Sequence, residues 1–249
     1  MFPLRDHNPS ERTPYVTYAL IIVNVAIFLI NYPMMNDTRA MASFYYDWST
    51  VPALITQGEQ THTIVTSMFL HGGFFHLAGN MLFLWIFGDN LEDSFGHVKF
   101  LLFYLASGIA ADLVHIAADP SSNIPTVGAS GAIAGVMGGY LLLFPKAKVD
   151  MIFIFIIFFK RFTVPAWVML LFWFGLQLLN GSGADTTSGG VAYWAHIGGF
   201  VAGALMTLPY LLKRGKADFW RQNQGQPPHP AINYEERRTT IPTVKRRRK

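Results

Sequence analysis

The stretch TVGASGAIAGVMGGYLLLF, residues 126–144, sets a serine among small residues and then runs on almost wholly apolar. Its glycines at 131, 135 and 139 recur every four residues, so they share one face of a helix. Small residues at that spacing let membrane helices approach backbone to backbone. A hydroxyl on the first turn of such a segment is either a packing residue or a group with a chemical task, and the rest of the chain must decide between them.

The composition around it fixes the class. Of the 249 residues, 51% are hydrophobic and 14% charged, where a soluble domain carries about 25% charged residues. With no cysteine in the chain, disulfides and thiolate metal sites are excluded. A spanning helix needs about 20 mostly apolar residues, and six segments serve: 15–32, 74–90, 98–117, 128–145, 163–179 and 193–212. The expected fold is an all-α polytopic membrane bundle of six helices. The length of the first segment and the spans behind it argue against a cleaved signal peptide. The polar but aromatic stretch 35–72 reads as a structured loop on the membrane interface, where Tyr and Trp are favoured. Residues 149–159 read as a short re-entrant or interfacial piece, cut off by Lys160-Arg161 and Pro165. The chain divides into an N-terminal segment 1–14, a core 15–212, and a basic, Pro- and Gln-rich tail 213–249 of disordered character.

Lysine and arginine set the orientation. With the N-terminus inside, 18 of the 19 basic residues fall on the inner side and only Arg39 outside, as the positive-inside rule requires. The terminal KRRRK then reads as an anchor for anionic lipid. A prokaryotic inner membrane with both termini cytoplasmic is the default location, because Asp6 and Glu11 do not suit an acid-poor transit peptide.

In this orientation segments two, four and six all run from outside to inside, and each carries polar residues at its start: His76 and Asn80, Ser130, and His196. Ionisable residues at membrane depth are costly and face a cavity or a partner, so one shared cavity accounts for all four. A serine hydroxyl needs a base, and His196 is available as one. A Ser–His dyad is the economical reading, because no carboxylate is obviously placed for a triad. The Asn80 amide, the His76 ring N–H and the Ser130 backbone N–H can meet an oxyanion. His76 and Asn80, four apart, share a helix face. Gly131 and Gly135 on segment four, with Gly199 and Gly203 on segment six, would bring the two helices into contact. Taken singly, each feature has a plainer reading: GASG as packing, the histidines and Asn80 as hydrogen bonds between helices.

HGGFFHLAGNMLFLWIFGDNLE (71–92), GASGAIAGVMGGYL (128–141) and AHIGGFVAGAL (195–205) together resemble the rhomboid intramembrane serine proteases. The resemblance implies Ser130 as nucleophile, His196 as general base, Asn80 and His76 at the oxyanion site, and the fifth span near Trp173 as a gate for a substrate helix. Where some members place a tyrosine that stacks on the histidine, this chain has Ala134, so another group must support His196. The Trp-Arg pair that some members carry in the first outer loop is absent, although Trp48 and Arg39 lie nearby in sequence. The implied partners are transmembrane protein substrates and the lipid bilayer, with no nucleic acid, no cofactor and no metal; the oligomeric state is open. The rivals are a catalytically silent relative that escorts membrane clients, and a channel or transporter. Polar residues clustered near one face suit a site open to outer water better than a pore. Asp112 and His115 read as the wet end of the third span, with a proton path as the alternative. Asp89, Glu92 and Asp93 read as solvated helix-end charges, and Asn24 as a link between helices.

Overall fold

The computed structural model describes residues 2–155, 158–183 and 190–213. The expected tail lies, from residue 214 on, outside the described residues. Strand β1 (Phe2–Asp6) precedes α1 (Tyr15–Asn31), which ends in a 3-10 turn, Tyr32–Asn36. The loop that follows holds α2 (Thr38–Trp48), α3 (Pro52–Thr56), α4 (Thr63–Thr66) and a second 3-10 turn, Ser67–Phe69. Then come α5 (Phe74–Phe95), α6 (His97–Ala118), α7 (Ser130–Leu143), β2 (Lys148–Phe155), β3 (Phe158–Pro165), α8 (Ala166–Gly183) and α9 (Tyr193–Lys213).

The helix α7 is the centre of the bundle. Every residue from Gly131 to Tyr140 is buried, which is how a helix apolar all round is stably placed. The outer helices do the reverse: Ile22, Leu29, Ile30, Leu171, Phe172 and Leu179 stand exposed, an apolar surface that only lipid solvates well. Among the described residues four helices are long and apolar enough to cross a membrane, and five if Thr63–Phe69 and Phe74–Phe95, bent by 93°, count as one span. At 14 residues, α7 is shorter. The protein is a multi-pass helical membrane bundle.

Glycines close the contact between α7 and α9. A Cβ on Gly199 would overlap the Gly131 carbonyl oxygen, and one on Gly203 the Gly135 carbonyl oxygen. The two helices therefore touch backbone to backbone, and no larger residue fits there.

Residues 149–155 and 158–159, read from the sequence as part of a re-entrant or interfacial piece, are β-strand. β2 and β3 form an antiparallel hairpin, and β1 pairs antiparallel with β2, giving a sheet in the order β1-β2-β3. The physical reason lies in composition: Val149, Ile152, Phe153, Ile154 and Phe155 are strand-favouring residues, and a short apolar run carries no periodicity to separate strand from helix. Asp150 on β2 joins all three strands. It accepts from Arg5 Nε (2.9 Å) and His7 Nε2 (2.9 Å) at the β1 edge and from Thr163 Oγ1 (2.6 Å) on β3. The sheet holds the foot of α7, where Tyr140 Oη donates to Asp6 Oδ2 (2.7 Å) and accepts from Asn8 Nδ2 (3.4 Å). Asn90 Nδ2 of α5 donates to the Asn8 carbonyl at 2.5 Å.

Glu92 is not a solvated charge. It is 1% exposed and accepts from Val16 N (2.8 Å), Thr17 N (2.8 Å), Thr17 Oγ1 (2.7 Å) and His97 Nδ1 (2.5 Å). α1 has no side-chain cap of its own, and its first-turn N–H groups lack intrahelical acceptors. A carboxylate from a neighbouring helix satisfies them and meets the positive end of the helix dipole. Asp93 pairs with Arg12 at 3.7 Å. Asn24 donates to the Leu20 carbonyl of its own helix at 2.8 Å rather than across to another.

Candidate active site

Ser130 is the first residue of α7, so its backbone N–H is among those with no acceptor inside the helix. The loop before it is clamped from several sides. Gly128 N donates to the Ser67 carbonyl (3.0 Å), and Thr126 and Thr50 exchange backbone bonds at 2.8 and 3.1 Å. Asp112 accepts from Thr50 Oγ1 (2.7 Å) and Ser67 Oγ (3.1 Å), while His115 Nε2 meets Thr126 Oγ1 at 2.9 Å. Asp112 and His115 also line the cavity that Ser130 faces. They are internal joints that tie the first loop to the turn presenting Ser130. Gly128 has φ +132, a conformation that side chains rarely adopt. A Cβ there would also stand 2.8 Å from His76 Nε2 and 3.5 Å from Ser130 Oγ.

The structure brings together all four polar residues singled out in the sequence. His196 Nε2 lies 2.8 Å from Ser130 Oγ. His76, Asn80, Ser130 and His196 line one cavity of about 790 Å³, together with Phe75 and Trp173. The Asn80 amide nitrogen is buried and has no hydrogen-bond partner among the described residues. His76 Nδ1 accepts from Gly72 N at 3.4 Å, which leaves Nε2 as the protonated ring nitrogen. That nitrogen sits beside Gly128, on the Ser130 side. A hydroxyl thus meets a ring acceptor, with donors from α5 and from the α7 N-terminus close by.

Sequence reasoning missed Gln177. Its Oε1 lies 2.8 Å from His196 Nδ1, and its Nε2 donates to the Trp173 carbonyl at 3.3 Å. The Trp173 ring packs on the imidazole with centroids 5.6 Å apart. α8 thus supplies the support that Ala134 does not. The signal was present: a lone glutamine inside an apolar span needs a partner for the same reason that a histidine does. No group of three His, Asp or Glu among the described residues could hold a metal ion.

A multi-pass helical bundle with a serine–histidine contact in a cavity between its helices defines a class of membrane protein, and comparison of the sequence gives the family. The rhomboid domain family matches residues 58–213, and the chain belongs to that family. It is 32% identical over 198 residues to Rhomboid protein 1, mitochondrial, of Saccharomyces cerevisiae, covering 76% of this chain and 51% of that protein. It is 30% identical over 160 residues to RHOMBOID-like protein 5 of Arabidopsis thaliana, covering 64% and 47%. It is 37% identical over 131 residues to Rhomboid protease GluP of Bacillus subtilis, covering 51% and 24%. The chain spans about half the length of the first two relatives and about a quarter of the third.

Proposed function

We propose that this chain is an intramembrane serine endopeptidase that cuts transmembrane segments of single-span proteins near the outer face, with both termini on the inner side. The observation that carries the reading is the 2.8 Å contact between Ser130 Oγ and His196 Nε2, formed in a cavity that also holds an Asn80 amide nitrogen with no partner among the described residues. Family membership and the protease name of the Bacillus subtilis relative support it. The partners are membrane-protein substrates and the surrounding bilayer, with no nucleic acid.

The chemistry follows from the groups in place. Ser130 Oγ attacks the scissile carbonyl carbon while His196 Nε2 takes its proton. The carbonyl oxygen becomes an oxyanion and is met by the Asn80 amide, the His76 Nε2–H and the Ser130 backbone N–H. His196 then returns the proton to the leaving nitrogen, the C–N bond breaks, and an acyl-enzyme remains on Ser130. Water from the cavity gives its proton to His196, attacks the ester carbon and releases the acid as Ser130 is reprotonated.

A fluorophosphonate probe tests the reading, together with cleavage of a single-span substrate in liposomes. Wild type is expected to label and to cut, whereas Ser130→Ala and His196→Ala should insert normally and do neither. Removing either member of a pair that acts as a unit costs nearly as much as removing both. Turnover by pure Ser130→Ala protein would sink the assignment; a wild type that neither labels nor cuts would favour a silent family member.

A further inference from the structure

A general base must present a lone pair to the serine proton, and in a neutral imidazole only one nitrogen has it. At His196 that nitrogen must be Nε2, because it is the one that faces Ser130 Oγ. The proton then belongs on Nδ1, and it needs an acceptor, since an unmet N–H in an apolar bundle is costly. The Gln177 Oε1 stands 2.8 Å from Nδ1. A carboxamide oxygen can only accept, so this contact fixes the tautomer. The glutamine is itself oriented, because its NH2 donates to the Trp173 carbonyl one helical turn back; a flipped amide would lose that bond and turn a donor toward Nδ1–H.

We propose that Gln177 is a positioning residue, holding His196 in the one tautomer and ring orientation that can take the serine proton. The proposal rests on the Ser130–His196 reading above. The sequence offers no carboxylate at this place, and the structure puts a neutral amide there instead. The amide sets geometry without placing a buried charge next to the imidazole. Gln177 belongs to α8, whereas Ser130 and His196 belong to α7 and α9. The base is therefore fully prepared only while α8 lies against α9, where Phe174 stacks on Phe200 at 4.6 Å. If α8 swings out to admit a substrate helix, His196 loses its acceptor, and it regains it when α8 returns.

Three variants separate positioning from simple packing. Gln177→Leu keeps the bulk and removes the acceptor. Gln177→Glu keeps an acceptor oxygen. Gln177→Ala removes both bulk and acceptor. Cleavage of one substrate in liposomes gives kcat and KM, the 15N shifts of the His196 ring report the tautomer, and thermal unfolding reports the fold. Gln177→Leu is expected to lower kcat by about 10- to 100-fold, the scale of a misplaced catalytic group, with KM within about twofold. Its His196 ring should show a mixture of tautomers where wild type shows Nδ1–H alone. Gln177→Glu should recover most of kcat, and Gln177→Ala should fall at or below Gln177→Leu. The proposal is overturned if Gln177→Leu keeps wild-type kcat, or if the Glu and Leu variants lose activity and thermal stability equally. Should any variant resist extraction, fluorophosphonate labelling rates in native membranes give the same ranking. Failure of the underlying dyad would appear separately, as turnover by Ser130→Ala.

Discussion

At the scale of one residue, Asn80 gives the sharpest test of the oxyanion site that we propose. Its amide nitrogen has no hydrogen-bond partner among the described residues and belongs to the wall of the cavity that holds Ser130 and His196. An oxyanion would provide the missing acceptor, and it exists only along the reaction path. Asn80→Ala should therefore lower kcat by about 100- to 1000-fold, the loss seen when one oxyanion donor is removed, with less if His76 and the Ser130 amide share the load. Thermal stability should change little, since the amide nitrogen bonds to none of the described residues. Steady-state kinetics and thermal unfolding on the same preparation check both. A raised KM with unchanged kcat would assign Asn80 to substrate binding instead. At this scale much was legible in the sequence. Ser130, His196, His76 and Asn80 are polar groups in apolar segments, and the requirement that such groups meet one another placed them in one cavity. Gln177 obeys the same rule and escaped because a neutral amide draws less notice than an ionisable ring. Asp112 and Glu92 escaped for another reason: a charge near a helix end looks the same in sequence whether water or a buried donor receives it.

The contact between α7 and α9 is the element on which the pair depends. A Cβ at Gly199 or Gly203 would overlap carbonyl oxygens of α7, so a leucine there must push the helices apart. Gly199→Leu and Gly203→Leu touch no reacting atom, yet each should reduce turnover by about 100-fold or more, because a shift of about 1 Å at a catalytic pair costs that much. Fluorophosphonate labelling should fall in parallel, since the serine would lose its base. Purified Gly203→Leu protein with normal turnover would mean that the helix contact does not position the pair. The four-residue glycine spacing made this interface readable. The sheet was not readable in the same way. Its β2 residues include a nearly unbroken apolar run beside the end of a membrane helix, where neither length nor periodicity decides between helix and strand. Only the density of β-branched and aromatic side chains argued for strands, and the strand that completes the sheet sits about 145 residues away in sequence, as Arg5 and Asp150 show.

For the molecule as a whole, the sheet outside the bundle is a place where acid acts. Burial alone would raise the Asp150 carboxyl, but hydrogen bonds from Thr163, His7 and Arg5 outweigh it and hold it at about 2, below the usual value of about 3.9. A depressed folded value stabilises the fold above the unfolded value, and the gain is lost as pH falls through the folded one. The difference in unfolding temperature between wild type and Asp150→Asn should therefore shrink as pH falls from about 4 to about 2. A gap that does not change down to pH 2 would deny Asp150 its part in joining the strands. The same sheet sets a length. α7 has 14 residues, or about 21 Å at about 1.5 Å per residue, against a hydrocarbon layer of about 30 Å. Its foot is held by Asp6 through Tyr140. With Tyr140 set at the inner boundary of such a layer, in the orientation that we propose, the head of α7 would stop about 10 Å short of the outer one. The molecule is then a calliper. On the proposed reading it would count depth from the inner surface, so the thickness of the host bilayer, as much as the residues of a substrate, would decide which peptide bond comes level with the serine.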